Sequence, residues 1–89
     1  MGHDMKKKIK PLAGMDVNQE GIIYRLEGGA GFRSRLQALN IRIGKQIKKI
    51  STTPFRGPIV VEVDRSRVAI GYGMAQKVMV EIIDQKNQS

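Results

Sequence analysis

The sequence contains no cysteine and no tryptophan, one histidine, and only four aromatic residues: Tyr24, Phe32, Phe55 and Tyr72. Without cysteine, neither a disulfide framework nor a thiolate metal site can form, and a small domain that manages without such staples fits a reducing compartment. The single histidine, His3, stands on a chain end, where order is usually lost, and offers no ligand role. With so few aromatics, the core has to be built from Ile, Val, Leu, Met and Ala. The same scarcity rules out an aromatic-lined groove for proline-rich peptides and leaves no interleaved platform for stacking nucleic-acid bases. No apolar run approaches the roughly 18 residues that cross a bilayer, and no hydrophobic signal segment opens the chain. A soluble, cytoplasmic protein is expected. The leading MGHDM leaves Met5 as a second candidate start, with residues 1–4 as additions.

Catalytic groups are equally scarce. Asp16, Glu20, Glu27, Glu62, Asp64, Glu81 and Asp84 fall in expected turns or on the polar faces of strands, and their spacing resembles no dedicated metal site. The glycine-rich Gly29-Ala30-Gly31-Phe32-Arg33-Ser34 lacks the third glycine of a dinucleotide fingerprint, and no Gly-Lys-Ser/Thr follows it. These absences predict a non-enzymatic protein that requires no cofactor.

Positive charge, by contrast, is abundant: 16 Lys and Arg against 8 Asp and Glu give a net charge of +8 on 89 residues. Such an excess selects anionic partners as a class, whether nucleic acid, membrane surface or acidic protein. Lys6, Lys7, Lys8 and Lys10 form a basic run that reads as a solvated tail. The length supports one domain, because a chain this short buries only about 60–65% of its unfolded surface. The expected organisation is a basic tail over 1–10, one folded domain over 11–84 and a polar tail over 85–89.

Gly28 to Gly44, GGAGFRSRLQALNIRIG, contains the one clear helix. Phe32, Leu36 and Leu39 at i, i+4 and i+7 predict an apolar face turned to the core, with Arg33 and Arg35 outward near the helix start, where they oppose the dipole. Asn40 suits the left-handed position that closes a helix, and Ile41 the hydrophobic stop behind it.

The remaining pattern is short strands. Ile22, Tyr24 and Leu26 alternate onto one face; Lys45–Ser51 follows, with Ile47 and Ile50 on opposite pleats unless a bulge intervenes and Lys45, Lys48 and Lys49 keeping it partly solvated. After the Thr53–Pro58 loop come Ile59–Val63, a turn at Asp64–Arg67, and Val68–Ile70 as the second arm of a hairpin. A single turn through Met74, Ala75 and Lys77 precedes Val78–Ile83. About five antiparallel strands and one inserted short helix predict a mainly β fold, a small SH3-like barrel closed on itself, with an OB-type barrel as the alternative.

Gly21, the strand ending at Leu26, Gly28-Gly29, Arg35-Leu36, Leu39, Ile41 and Gly44 together resemble the FeoA family of ferrous iron transport proteins. Phe55 followed by Gly57-Pro58, then Val61-Glu62-Val63, Val68-Ala69-Ile70 and Met74-Ala75 before Val78 and Val80, continue the likeness. Asn40 departs from it, standing where the family commonly has glycine. The resemblance covers about Leu12 to Ile83. It implies an SH3-like barrel acting beside the membrane GTP-binding transporter FeoB by contact with that transporter's cytoplasmic part. Ferrous iron or another divalent metal as a ligand rests on the resemblance alone.

The residues expected to meet a partner are Arg33 and Arg35 on the helix, Phe55, Arg56 and Pro58 in the loop, and Met79 and Ile83 on the last strand. For Phe55 and Met79 the leading alternative is that they fill the core edge. A monomer or weak homo-oligomer without membrane insertion is expected. The rival reading is a small basic nucleic-acid-binding or metal-dependent regulatory barrel, which no helix-turn-helix in this sequence supports.

Overall fold

The β-branched run Ile59–Val63 forms β4 and turns through Asp64 and Arg65 into β5 (Ser66–Ile70). Both turn residues lie at positive φ, 52° and 69°, and Val63 pairs with Ser66, so a two-residue turn of the type that matches strand twist closes the hairpin. The computed structural model describes residues 7–83. His3, Lys6, Asp84 and the polar tail 85–89 lie outside the described residues.

Upstream are β1 (Ile9–Pro11), a 3₁₀ turn at Leu12–Gly14, β2 (Glu20–Leu26), α1 (Ala30–Ala38) and β3 (Gln46–Thr52); α2 (Tyr72–Ala75) and β6 (Val78–Ile82) complete the chain. All strand pairs are antiparallel, in one six-stranded sheet of order β1-β6-β2-β3-β4-β5. The fold is mainly β and SH3-like. The sheet does not close into a barrel, because no ladder joins β5 to β1 among the described residues. β1 is the sixth strand: Ile9 and Lys10 fall within the run that charge assigns to a solvated tail, and pairing with Glu81 and Val80 draws them into the sheet.

Two β-bulges override simple alternation. One in β2, between Ile23 and Arg25, inserts Tyr24 and flips the pleat, so Ile23 and Leu26 are buried while Tyr24 is exposed, correcting the expected Ile22, Tyr24 and Leu26 face. The other, between Lys49 and Ser51 in β3, inserts Ile50. Ahead of that bulge plain alternation turns Ile47 and Lys49 inward together, and Lys49 is only 3% exposed rather than solvated. Its Nζ donates to the carbonyls of Ala13 at 3.1 Å and Met15 at 2.5 Å, satisfying the end of the 3₁₀ turn. Desolvation holds this ammonium below lysine's ordinary 10.5; nearby Asp16 opposes that shift and Lys10 adds to it.

Helix α1 ends as Asn40 predicts. Asn40 has φ 68°, its N–H donates to Gln37, and the N–H of Ile41 donates to Leu36 at 2.9 Å, the paired bonds of a Schellman closure. Leu36 and Ile41 are both fully buried, and Phe32 packs partly against the same core. Leu39 does not join them. The helix stops at Ala38, so the helical spacing no longer applies at Leu39, which is left 36% exposed while Ile41 fills the core instead.

Candidate interaction surface

Thr53–Pro58, between β3 and β4, is tied at its base by Thr53 Oγ1 donating to the Pro58 carbonyl at 2.7 Å. Within it the Gly57 N–H donates to Pro54 at 3.2 Å, closing a turn whose central residues, Phe55 and Arg56, both have φ 59°. This is left-handed backbone that glycine and asparagine take readily and phenylalanine takes at about 1–2 kcal/mol. Gly57 is required on steric grounds: a Cβ there would lie 2.8 Å from Thr53.

The strained turn puts Phe55 fully into solvent, at 101% of its reference exposure, so it fills no core edge. The Arg56 guanidinium lies 5.8 Å over the ring of Tyr72, packing the loop against the start of α2. Pro58 is exposed at the end of the loop. Three of the seven expected contact residues thus share one protruding element.

The others sit elsewhere. Arg33 and Arg35 are exposed on α1. Arg35 lies in the helix's last turn, where a cation complements the dipole rather than opposing it. Met79 and Ile83 are half-buried at alternate positions of β6 and just beyond it, separated from the loop's own strands by β2 in the sheet order. The seven residues therefore form three groups on three elements.

On the outer face of the sheet a row of paired residues crosses four strands: Glu20 opposite Lys48, Lys48 opposite Glu62, Glu62 opposite Arg67. Its charges alternate, the arrangement that cross-strand neighbours favour. An open groove of about 390 Å³ lies along it, lined by Glu20, Gln46, Ile47, Lys48, Glu62, Asp64 and Arg65. Asp64 is engaged at one side by Lys45 Nζ at 2.5 Å and Asn40 Nδ2 at 2.7 Å, and these hydrogen bonds hold its carboxyl below the usual range.

Among the described residues, no group of three or more His, Asp or Glu side chains is placed to hold a metal ion. The arrangement offers contact: an exposed apolar side chain on one loop and a row of alternating charges on the outer face of the sheet. Sequence reasoning did not identify Tyr72 as the support of Arg56, or the charged row. Only its Glu62–Arg67 end is traceable from sequence, because the two-residue turn at Asp64-Arg65 fixes the partner of every residue in that hairpin.

The FeoA domain model matches residues 10–82. The chain is 37% identical over 71 residues to "Putative Fe(2+) transport protein A" of Methanocaldococcus jannaschii, spanning 80% of this chain and 84% of that protein. A crystal structure of an iron uptake regulatory protein (FeoA) superposes with a TM-score of 0.81 at 33% identity, covering 85% of this chain and all of that one. A manganese-dependent transcriptional repressor gives a TM-score of 0.80 at 18% identity, covering 89% of this chain and 44% of the repressor; that likeness extends to the fold.

Proposed function

The chain belongs to the FeoA family, and from that premise we propose that it is a non-enzymatic accessory protein of ferrous iron transport, acting by contact with the cytoplasmic part of a FeoB-like transporter. Ferrous iron is then the transporter's cargo, and this chain works in the cytoplasm without a cofactor of its own. No helix of the described residues is long and apolar enough to cross a membrane, which accords with a partner that brings the membrane-spanning part.

The observation that carries the reading is Phe55. A large apolar side chain held wholly in solvent on backbone that opposes it is the form of an interface anchor, since strain of this kind persists where function uses it. Arg56 braced on Tyr72 supplies a cation beside the anchor.

Titration calorimetry of the chain against the transporter's purified cytoplasmic domain, with and without guanine nucleotide and Fe²⁺, tests the reading. Saturable binding weakened about tenfold or more by Phe55→Ala is expected. Absence of binding and of any effect on nucleotide turnover in all conditions overturns it. So does salt-dependent retention on random DNA that survives neutralising Lys6, Lys7, Lys8 and Lys10, since the folded domain itself would then be a nucleic-acid binder.

A further inference from the structure

The two edges of the sheet are not equivalent. At β1, the Lys8 carbonyl accepts from Ile82, so Lys8 and Lys10 face β6 and the outward backbone belongs to Ile9 and Pro11. Pro11 has no N–H to offer, and the strand is three residues long, which are the usual protections of an edge.

The β5 edge lacks these protections. Because Val63 and Ser66 flank a two-residue turn, the pairs 63–66, 61–68 and 59–70 exchange the hairpin hydrogen bonds. Arg67 and Ala69 therefore turn both N–H and C=O away from β4. No backbone partner meets either residue on that side among the described residues. The strand is five residues long, unbulged and free of proline.

We propose that the outer edge of β5 is a docking edge, on which an extended acidic segment of a partner protein adds as a further strand. Its chemistry follows from the rows that end there. The outer row runs Glu20, Lys48, Glu62, Arg67 in alternating sign, so the position in register beyond Arg67 takes a carboxylate. On the inner face Val61 pairs with half-buried Val68, so the position beyond Val68 takes an apolar side chain. Arg67 and Arg65 make no ion pair within 4.0 Å among the described residues, leaving both cations available to that segment. A second copy is the poorer occupant, since two chains of +8 would bring four arginines together at one seam. Register also places the Phe55 loop beside this edge: it leads into Ile59, the partner of Ile70, and Arg56 covers Tyr72 two residues beyond.

The inference deepens the transporter-contact reading and takes its partner from it. The test is amide hydrogen exchange by NMR on the full chain, alone at low and high concentration and saturated with the transporter's cytoplasmic domain. In the free chain the Arg67 and Ala69 amides should exchange fast beside protected Val68 and Ile70 amides; in the complex they should slow at least about tenfold. Ala69→Pro, which takes away an outward N–H and no bond of the β4–β5 ladder, should weaken binding by about tenfold, and Arg67→Glu should weaken it and reduce its salt dependence. Binding with both amides still fast and Ala69→Pro as tight as wild type overturns the edge while leaving the transporter contact standing. No binding at all removes both. Protection in the dilute free chain means the edge is already covered, and protection that grows with the chain's own concentration means a second copy occupies it; either outcome overturns the acidic-partner assignment.

Discussion

Lys49 Nζ lies 2.5 Å from the carbonyl oxygen of Met15, joining the middle of β3 to the turn that follows β1. Lys49→Met keeps an unbranched stem of similar reach but drops the ammonium, leaving the Ala13 and Met15 carbonyls without their donor. We expect a loss of about 1–2 kcal/mol in urea unfolding at pH 7, the penalty of buried acceptors partly offset by relief of a desolvated charge. The pH dependence separates these contributions. Because the folded pKa lies below 10.5, the unfolded chain holds the proton more tightly in the window beneath that value, so wild-type stability rises with pH there. The amine remains a donor after losing its proton, so the gap between wild type and Lys49→Met should widen as pH 10.5 is approached. A gap that narrows would mean the ammonium stabilises the fold by its charge.

Leu36 and Leu39 share a predicted face and have opposite surroundings. Leu36→Ala empties a fully buried position against Ile41 and should cost about 2–5 kcal/mol, whereas Leu39→Ala at the exposed cap should stay within about 0.5 kcal/mol. Parallel denaturant titrations check the contrast. Equal losses would place Leu39 in the core after all.

The difference between those two leucines shows how far the sequence could be read. Period and composition locate α1, its Asn40 closure, the Ile59–Val63 strand and its inward face, because each is fixed by neighbours within a few residues. In β3 plain alternation carries Lys49 inward with Ile47, but the carbonyls that accept its ammonium come from a turn far off in sequence and were not legible; the inward face of β2 was not legible either, since a bulge adds one residue to one strand only. Tyr24 and Ile50 carry no local mark of it. β1 escaped notice because its lysines and Pro11 satisfy the conditions for an edge strand and for a tail equally well. In the candidate site, Phe55 was visible as an apolar residue in a loop; that it stands in solvent depends on two consecutive left-handed residues that no propensity favours.

Gly21 of β2 packs directly against β6, with no room for a side chain. A Cβ at this position would meet a Val80 methyl group and lie 2.6 Å from the backbone carbonyl oxygen of Glu81. Since the obstacle includes main chain, the strand pair has to separate, and Gly21→Ala should destabilise by about 2–3 kcal/mol as overpacking at a constrained site does. Thermal unfolding by circular dichroism checks it. An unchanged midpoint would mean that the β2–β6 ladder can shift at no cost.

Phe55 sets stability against binding in one residue. The turn it occupies needs two left-handed residues, and Asn-Gly is the pair that adopts them with least strain. Phe55→Asn should therefore raise stability by about 0.5–1 kcal/mol, because the residue buries nothing and relieves backbone strain, while it removes the apolar anchor. Arg56→Gly adds the second favoured residue but gives up the contact with Tyr72, worth about 0.5–1 kcal/mol, so the double variant should be no more stable than Phe55→Asn alone. Differential scanning calorimetry gives the stability half, and titration with the transporter's cytoplasmic domain gives the other. A protein that melts higher and binds at least about tenfold more weakly would establish that the strain is maintained for the contact. A stabilised variant with wild-type affinity would leave Phe55 without a role in it.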